Sequence, residues 1–380
     1  MITLNEDKFA LFRIFSKEYK KASKKQRGLI LTEVVSLTSY HRKHAGRLLN
    51  NPPSRKKFKR YRPSKYMIIL PLLKKLWTAS NFSCGTILVP AIPEILESLL
   101  RFKEIRASKK DEKLLLKISS ATVDRLLKAD RKRLEIKGRS GTKPGTLLKH
   151  QIPVRIFTPW NEEIPGFLEI DLVAHCGESL VDTYINTLDA VDIATTWTEK
   201  QACMGKSERV TIEAFEEMEK RFPFRVLGVD SDNGSEFINW HFLRMAQRKQ
   251  ITFTRSRAYR SNDQAHVEQK NFSTVRKIIG YRRLETEKQL KILNQIYRLL
   301  SDYLNFFIPT LKLVRKEHIG SKVKRIYDRP KTPIIRVLEH PGIDENTKLA
   351  LKNKYLTLNP AELLRGINRL TNKLLKGSSF

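Results

Sequence analysis

The spacing of apolar positions changes character as the chain proceeds. Leu29–Val35 reads as an apolar-rich helix, Ser36–Ser39 has turn composition, and Tyr40–Leu49 resumes helical spacing with Arg42, Lys43 and Arg47 on its polar side. Helix, turn and basic helix is the sequence form of a helix-turn-helix, whose second helix enters the DNA major groove; an αα-hairpin inside a bundle shares that form. Helical periodicity returns at Tyr66–Ala79 and, after Pro90 and Pro93, at Ile92–Phe102. A second helix pair follows, Leu114–Ile118 and then Ser120 to Arg133, with Ser119 or Ser120 as N-cap and Thr122, Arg125 and Lys128 on the outer side. From Gly166 the period becomes two. Strands are predicted at Phe167–Ala174, Leu180–Asp192 and Thr195–Ala202, then a helix at Ser207–Arg221, a strand at Phe224–Val229, a helix at Phe237–Lys249, a strand at Ile251–Thr254 and a helix at Asp263–Ile279. The order βββαβαβα predicts an α/β domain. Beyond it, Thr286–Phe306 reads as a helix, Pro309–Pro333 as a basic tract with a short strand at Val323–Tyr327, and Asn346–Leu375 as helical with Pro360 interrupting.

These patterns divide the chain into an N-terminal helix-turn-helix and basic arm (1–65), a second helical, helix-turn-helix region (66–136), a basic linker (137–159), an α/β core (160–285) and a basic C-terminal region (286–380). For the last, a small β-barrel and helical packing both stay open.

Charge adds the first functional constraint. The 380 residues carry a formal net charge of +33, unevenly spread. Residues 1–150 hold 36 Lys and Arg against 12 Asp and Glu (+24), residues 151–285 hold 18 against 20 (−2), and residues 286–380 hold 19 against 8 (+11). So strong a positive field repels itself and is normally kept because a polyanion neutralises it. Nucleic acid is the favoured partner and an anionic membrane surface the weaker one. The stretch RKKFKRYR, Arg55–Arg62, puts Lys56, Lys57 and Lys59 among Phe58 and Tyr61 between prolines, which suits an extended arm along phosphates or a solvated linker. No run reaches the roughly 18–20 apolar residues needed to span a bilayer, and the N-terminus does not read as a secretory signal. The three cysteines are scattered without C-x-x-C spacing, which argues for a reducing compartment such as the cytoplasm and against structural zinc. His41 and His44 have no Cys pair near them and read as exposed side chains.

The near-neutral middle holds three acidic positions in unusual settings. Asp171 interrupts the apolar run GFLEIDLV, where a carboxylate is costly to bury without a partner. Asp232 follows a strand in VDSDNGSEF, with Asn233-Gly234 supplying a tight turn. Glu268 lies on the first turns of a helix in NDQAHVEQKN. Carboxylates converging at one end of a sheet make an all-oxygen site suited to Mg²⁺ or Mn²⁺, with two ions expected. Arg257, Arg260 and Lys270, around Glu268, are candidates for holding DNA phosphates. Asp182, Asp189, Asp192 and Asp230 are expected as strand-end surface charges, Asp230 being close enough to keep as a minor candidate ligand. In the C-terminal tract Lys312, Arg315, Lys316, Lys322, Lys324 and Arg325 are further possible DNA contacts.

The order Asp, Asp-Asn-Gly and Glu, with 35 residues between Asp232 and Glu268, resembles the catalytic core of retroviral-type integrases and bacterial insertion-sequence transposases. The resemblance covers about residues 160–285 and implies a ribonuclease-H-like fold with Asp171, Asp232 and Glu268 as catalytic metal ligands. It also implies metal-dependent 3′-end cleavage at element ends, strand transfer into target DNA, a homo-oligomer that pairs two ends, and a place at the bacterial nucleoid. The chain departs from retroviral integrases in lacking cysteines for their His-His-Cys-Cys zinc module. It has Asn262-Asp263 where many members have Asn-Gly. A metal-dependent nuclease of the same fold and an element-derived DNA-binding repressor are the alternatives.

Overall fold

The computed structural model describes residues 5–53, 64–133, 163–232, 237, 239–255, 271–319 and 322–376. The chain forms two compact units, residues 1–64 and 65–380.

The first unit consists of α1 (Asn5–Lys21), α2 (Lys24–Thr38) and α3 (Arg42–Asn50) around Phe12, Val34, Ala45 and Leu49. Ser23 and Gln26 close a capping box at the start of α2, and Ser39 ends it in the left-handed conformation, φ 58°. The turn expected at Ser36–Ser39 therefore falls two residues later, because α2 keeps its hydrogen bonds through Thr38. His41 caps α3, its Nδ1 accepting from the Lys43 N–H, and His44 packs against Tyr40.

The second unit begins with helices α4 (Leu70–Ala79), α5 (Gly85–Arg101), α6 (Lys109–Leu116), α7 (Ser120–Leu126) and α8 (Lys128–Lys132). They enclose a core that includes Leu73, Trp77, Ile92, Leu99, Leu115 and Val123. Two expectations change here. Helix α5 starts at Gly85 and runs through both Pro90 and Pro93, its buried face offsetting the lost backbone bonds. The helix expected from Ser120 to Arg133 breaks at Leu127, and Thr122 faces inward with its hydroxyl against Ser119 and Arg125.

A five-stranded mixed sheet follows: β1 (Phe167–Ala174), β2 (Ile185–Asp192), β3 (Thr198–Met204), β4 (Gly228–Ser231) and β5 (Thr252–Arg255), in the order β3-β2-β1-β4-β5. β1, β2 and β3 are antiparallel neighbours, while β4 and β5 run parallel to β1. α9 (Glu208–Glu219) and α10 (Trp240–Lys249) connect the later strands and join the sheet in one hydrophobic core. After a π-helical turn (Asn271–Arg276) and α11 (Lys277–Ile279) comes the long α12 (Glu287–Phe307), opened by a Thr286–Gln289 capping box. A hairpin, β6 (Leu313–Ile319) and β7 (Lys322–Tyr327), precedes α13 (Pro333–Glu339), α14 (Glu345–Thr357) and α15 (Pro360–Lys376).

Helix α12 covers the β3 edge of the sheet. The Asn305 side chain donates to the Thr198 carbonyl and accepts from its N–H, both at 2.9 Å, and Asn294 makes the same pair with Ala202 at 3.1 and 2.8 Å. Two side-chain amides thus stand in for a sixth strand and satisfy backbone groups that would otherwise invite another chain. Between them, Glu199 is buried and accepts from Ser301 Oγ (2.6 Å), Trp197 Nε1 (3.0 Å) and Arg221 Nε (3.0 Å). Burial pushes its carboxyl above the usual range against those partners. Replacing Arg221 by Ala leaves that carboxylate without its cation and should lower stability by about 3 kcal/mol in chemical denaturation. Adding Glu199→Gln should recover part of the loss; additive losses would mean the pair is not coupled.

Candidate active site

β1 enters the sheet at Gly166, whose φ of 115° only glycine adopts readily and where a Cβ would lie 2.4 Å from the Arg225 carbonyl. The Gly166 N–H donates to Asp192 Oδ1 (2.7 Å) and its carbonyl accepts from Leu227 and Gly228, fixing β1 against β4. In that parallel register Glu169 lies opposite Asp230 and Ile170 opposite Ser231, so the next step along both chains brings Asp171 beside Asp232. Asp232 is half-buried just past the end of β4.

The two carboxylates oppose one another. Burial and then the Asp232 charge push the Asp171 carboxyl up to about 7, with Asp189 adding to the rise. The Leu172 N–H (2.8 Å to Oδ1) and the Asn271 amide, donating to Oδ2, act the other way. Two neighbouring oxygen-only acids, one of them with its proton affinity raised by desolvation and by the other's charge, fit a hard divalent cation, which would relieve both costs. Glu268, the third expected ligand, lies outside the described residues, as do Asp263, Arg257, Arg260 and Lys270. Among the described residues no cluster of three or more metal-ligating side chains is present.

Three neighbouring acids expected at the surface are instead fully buried, because both faces of the sheet are covered. Asp189, opposite Asp171 on β2, pairs with Lys200 at 3.0 Å, and both side chains are inside. Asp192 accepts from Gly166 N–H and from the Thr195 N–H and hydroxyl; burial still pushes its carboxyl up to about 6. Asp230 accepts from Thr254 Oγ1 on β5 at 2.6 Å. Only Asp182 is exposed as expected, in a left-handed turn.

The sequence pattern singled out neither His175 nor Asn271. His175 follows β1, four residues and one strand face on from Asp171, and is wholly buried. Its Nε2 meets Thr187 Oγ1 (2.8 Å), which meets the Tyr297 hydroxyl (2.6 Å). Burial and then the Arg276 charge pull its pKa down to about 3, so the ring is neutral. Arg276, on the π-helical turn, lies over Tyr281. Asn271 stood within the quoted Glu268 block but carried no signal of its own.

Of the expected DNA contacts, Arg42, Lys43 and Arg47 are exposed on α3, and Arg125 and Lys128 are exposed on α7 and α8. Arg42 reaches back to Thr32 Oγ1 at 2.9 Å and Arg125 to Thr122 Oγ1 at 3.1 Å. Lys56, Lys57 and Lys59 lie outside the described residues. No described helix is long and apolar enough to cross a membrane.

No family model matches the chain. A relative from Sinorhizobium fredii (strain NBRC 101917 / NGR234), described as uncharacterized protein y4rM, is 37% identical over 325 residues, which is 84% of this chain and 91% of the relative. The chain belongs to the y4rM family. This member of the y4rM family is also similar in structure to the HTLV-2 integrase catalytic core domain, solved in complex with magnesium in a dimeric form. That likeness has 15% identity and a TM-score of 0.30, and covers 39% of this chain and 91% of that one.

Proposed function

We propose that the chain is a DNA transposase of the integrase type, which binds element ends, cleaves DNA to free 3′ ends and joins them to target DNA. The observation that carries this reading is the half-buried Asp171 carboxylate beside Asp232 at the junction of two parallel strands, where desolvation and the Asp232 charge raise the cost of its ionisation. The sheet order, with three antiparallel strands followed by two parallel to the first, supports a ribonuclease-H-like core. The spacing of 35 residues from Asp232 to Glu268 and the +24 of residues 1–150 support the same reading from the sequence.

Asp171, Asp232 and Glu268 would hold Mg²⁺ or Mn²⁺, which when bound lowers the pKa of a water or 3′-hydroxyl and stabilises the departing phosphodiester oxygen. The chain's own contribution is orientation. Asn271, three residues after Glu268, fixes one oxygen of Asp171 while the Leu172 N–H holds the other. Lys200 neutralises Asp189 behind the site, so that this acid does not compete as a ligand. The basic ends of the chain hold the DNA, and a homo-oligomer would bring two element ends together.

The test is incubation with candidate element-end DNA and Mg²⁺ or Mn²⁺, followed by sizing of the products. Joined products of new length are expected, with binding but no chemistry in Ca²⁺. Cut DNA without joining would leave a metal-dependent nuclease, and activity in excess chelator would remove the metal from the reaction.

A further inference from the structure

The hairpin β6–β7 stands apart from the main sheet as a two-stranded sheet of its own. None of its described residues belongs to a hydrophobic core; Val314 is 62% exposed and Tyr327 47%. A lone two-stranded hairpin is marginal in water. Its strands carry five Lys and Arg against one Glu. In the register Glu317 lies opposite Lys324. Arg315 and Lys324 converge on the single Glu317, at 2.9 and 3.7 Å.

The base of the hairpin, by contrast, is firmly mounted. Thr310 and Lys331 pair through their backbones, and Asp328 accepts from the Lys312 N–H (2.8 Å) and from Arg336 (2.5 Å). Lys312 Nζ donates to the Ala194 carbonyl (3.2 Å), and Thr310 Oγ1 meets Thr196 Oγ1 (2.6 Å) in the turn after β2. That turn follows Asp192, opposite Leu168 near the start of β1, and so lies at the end of the sheet away from Asp232. A firmly mounted base under exposed strands with five cations and one carboxylate suits a polyanionic partner.

We propose that the β6–β7 ribbon is a DNA-binding arm that lies in the major groove of a duplex, contacting DNA at a distance from the Asp171–Asp232 site. The groove, about 12 Å wide, admits a two-stranded ribbon, and the exposed Arg315 on one strand and Lys324 and Arg325 on the other would reach the phosphates of its walls. The proposal rests on the reading of the chain as a DNA-binding enzyme.

The test uses the full chain with Arg315→Gln, Lys324→Gln and Arg325→Gln combined, at exposed positions where no core packing is removed. Duplex affinity should fall at least about tenfold at 100 mM salt, and the slope of log affinity against log salt should flatten by about 2–3. The melting temperature should hold, since all three side chains are exposed and their surface ion pairs with Glu317 contribute little. A control of equal charge in the near-neutral middle of the chain, Lys206→Gln, Arg209→Gln and Lys220→Gln, all exposed, should do much less. Unchanged duplex affinity in the ribbon variant, an equal loss in the control, or a loss confined to anionic phosphatidylserine vesicles would each overturn the proposal. Binding is read without cleavage, so failure of the ribbon is separable from failure of the proposed chemistry: the first leaves wild-type cutting intact, the second leaves wild-type DNA uncut.

Discussion

Asp171→Asn is expected to reduce cleavage and joining by about 10³-fold or more while leaving the fold and DNA affinity in place. Losing a ligand that positions divalent metal removes several kcal/mol of transition-state stabilisation, and each 1.4 kcal/mol is about tenfold. Asp232→Asn and Glu268→Gln should behave alike in catalysis. The stability readout should move the other way. In chelator, the charged Asp171 carboxylate is disfavoured by burial and by Asp232, so its neutral isostere should leave the melting temperature unchanged or a few degrees higher. The substitution preserves the geometry: the Asn oxygen can keep the Leu172 N–H, and Asn271 can turn its own amide to match. Adding Mn²⁺ should raise the melting temperature of the wild type more than that of the variant, through binding linkage. Near-normal cutting by the variant would remove Asp171 from the site, and a variant that unfolds would make the residue structural.

The second large effect concerns salt. If six to ten phosphates are neutralised, DNA affinity of the full chain should fall by about 10³ to 10⁵ between 50 and 200 mM salt. The full chain is the right material, because helices α4–α8 do not stand alone. Glu104, beyond α5, takes Arg365 of α15 through two bonds of 2.7 and 2.9 Å and Asn359 at 2.7 Å, which draw its carboxyl down to about 2. Tyr303 of α12 donates to the Ala79 carbonyl. Within the first unit, Lys43→Gln with Arg47→Gln should weaken binding, since both are exposed on α3. Arg42 is a less clean probe, because its guanidinium also ties α3 to α2. Neutralising Lys56, Lys57 and Lys59 should weaken binding to every sequence and flatten the slope. Affinity insensitive to salt would mean that the charge of the arms serves something other than DNA.

The amino-acid sequence determined the local elements wherever period and caps agree. Phe167–Ala174 has the predicted strand bounds, Ser207 caps α9, Thr286 opens α12, and Pro360 separates the last two helices by standing at the first turn of α15. It also determined which carboxylate is anomalous, since Asp171 sits in a run too apolar for an unpaired charge. The tertiary structure alone decided which other charges are internal. Asp189, Asp192 and Asp230 are inside because their partners come from other elements: Lys200 across the sheet, Gly166 and Thr195 at a turn, Thr254 on β5. Nothing along the chain distinguishes such an acid from a solvated one, because the cost of burying a charge depends on what reaches it. The same holds for Asn294 and Asn305, ordinary helical residues in sequence that finish a sheet edge about a hundred residues away, and for Thr122, whose burial follows from the break at Leu127. Period and capping are local properties that the sequence carries by itself, whereas partnership across the fold exists only once the chain has closed.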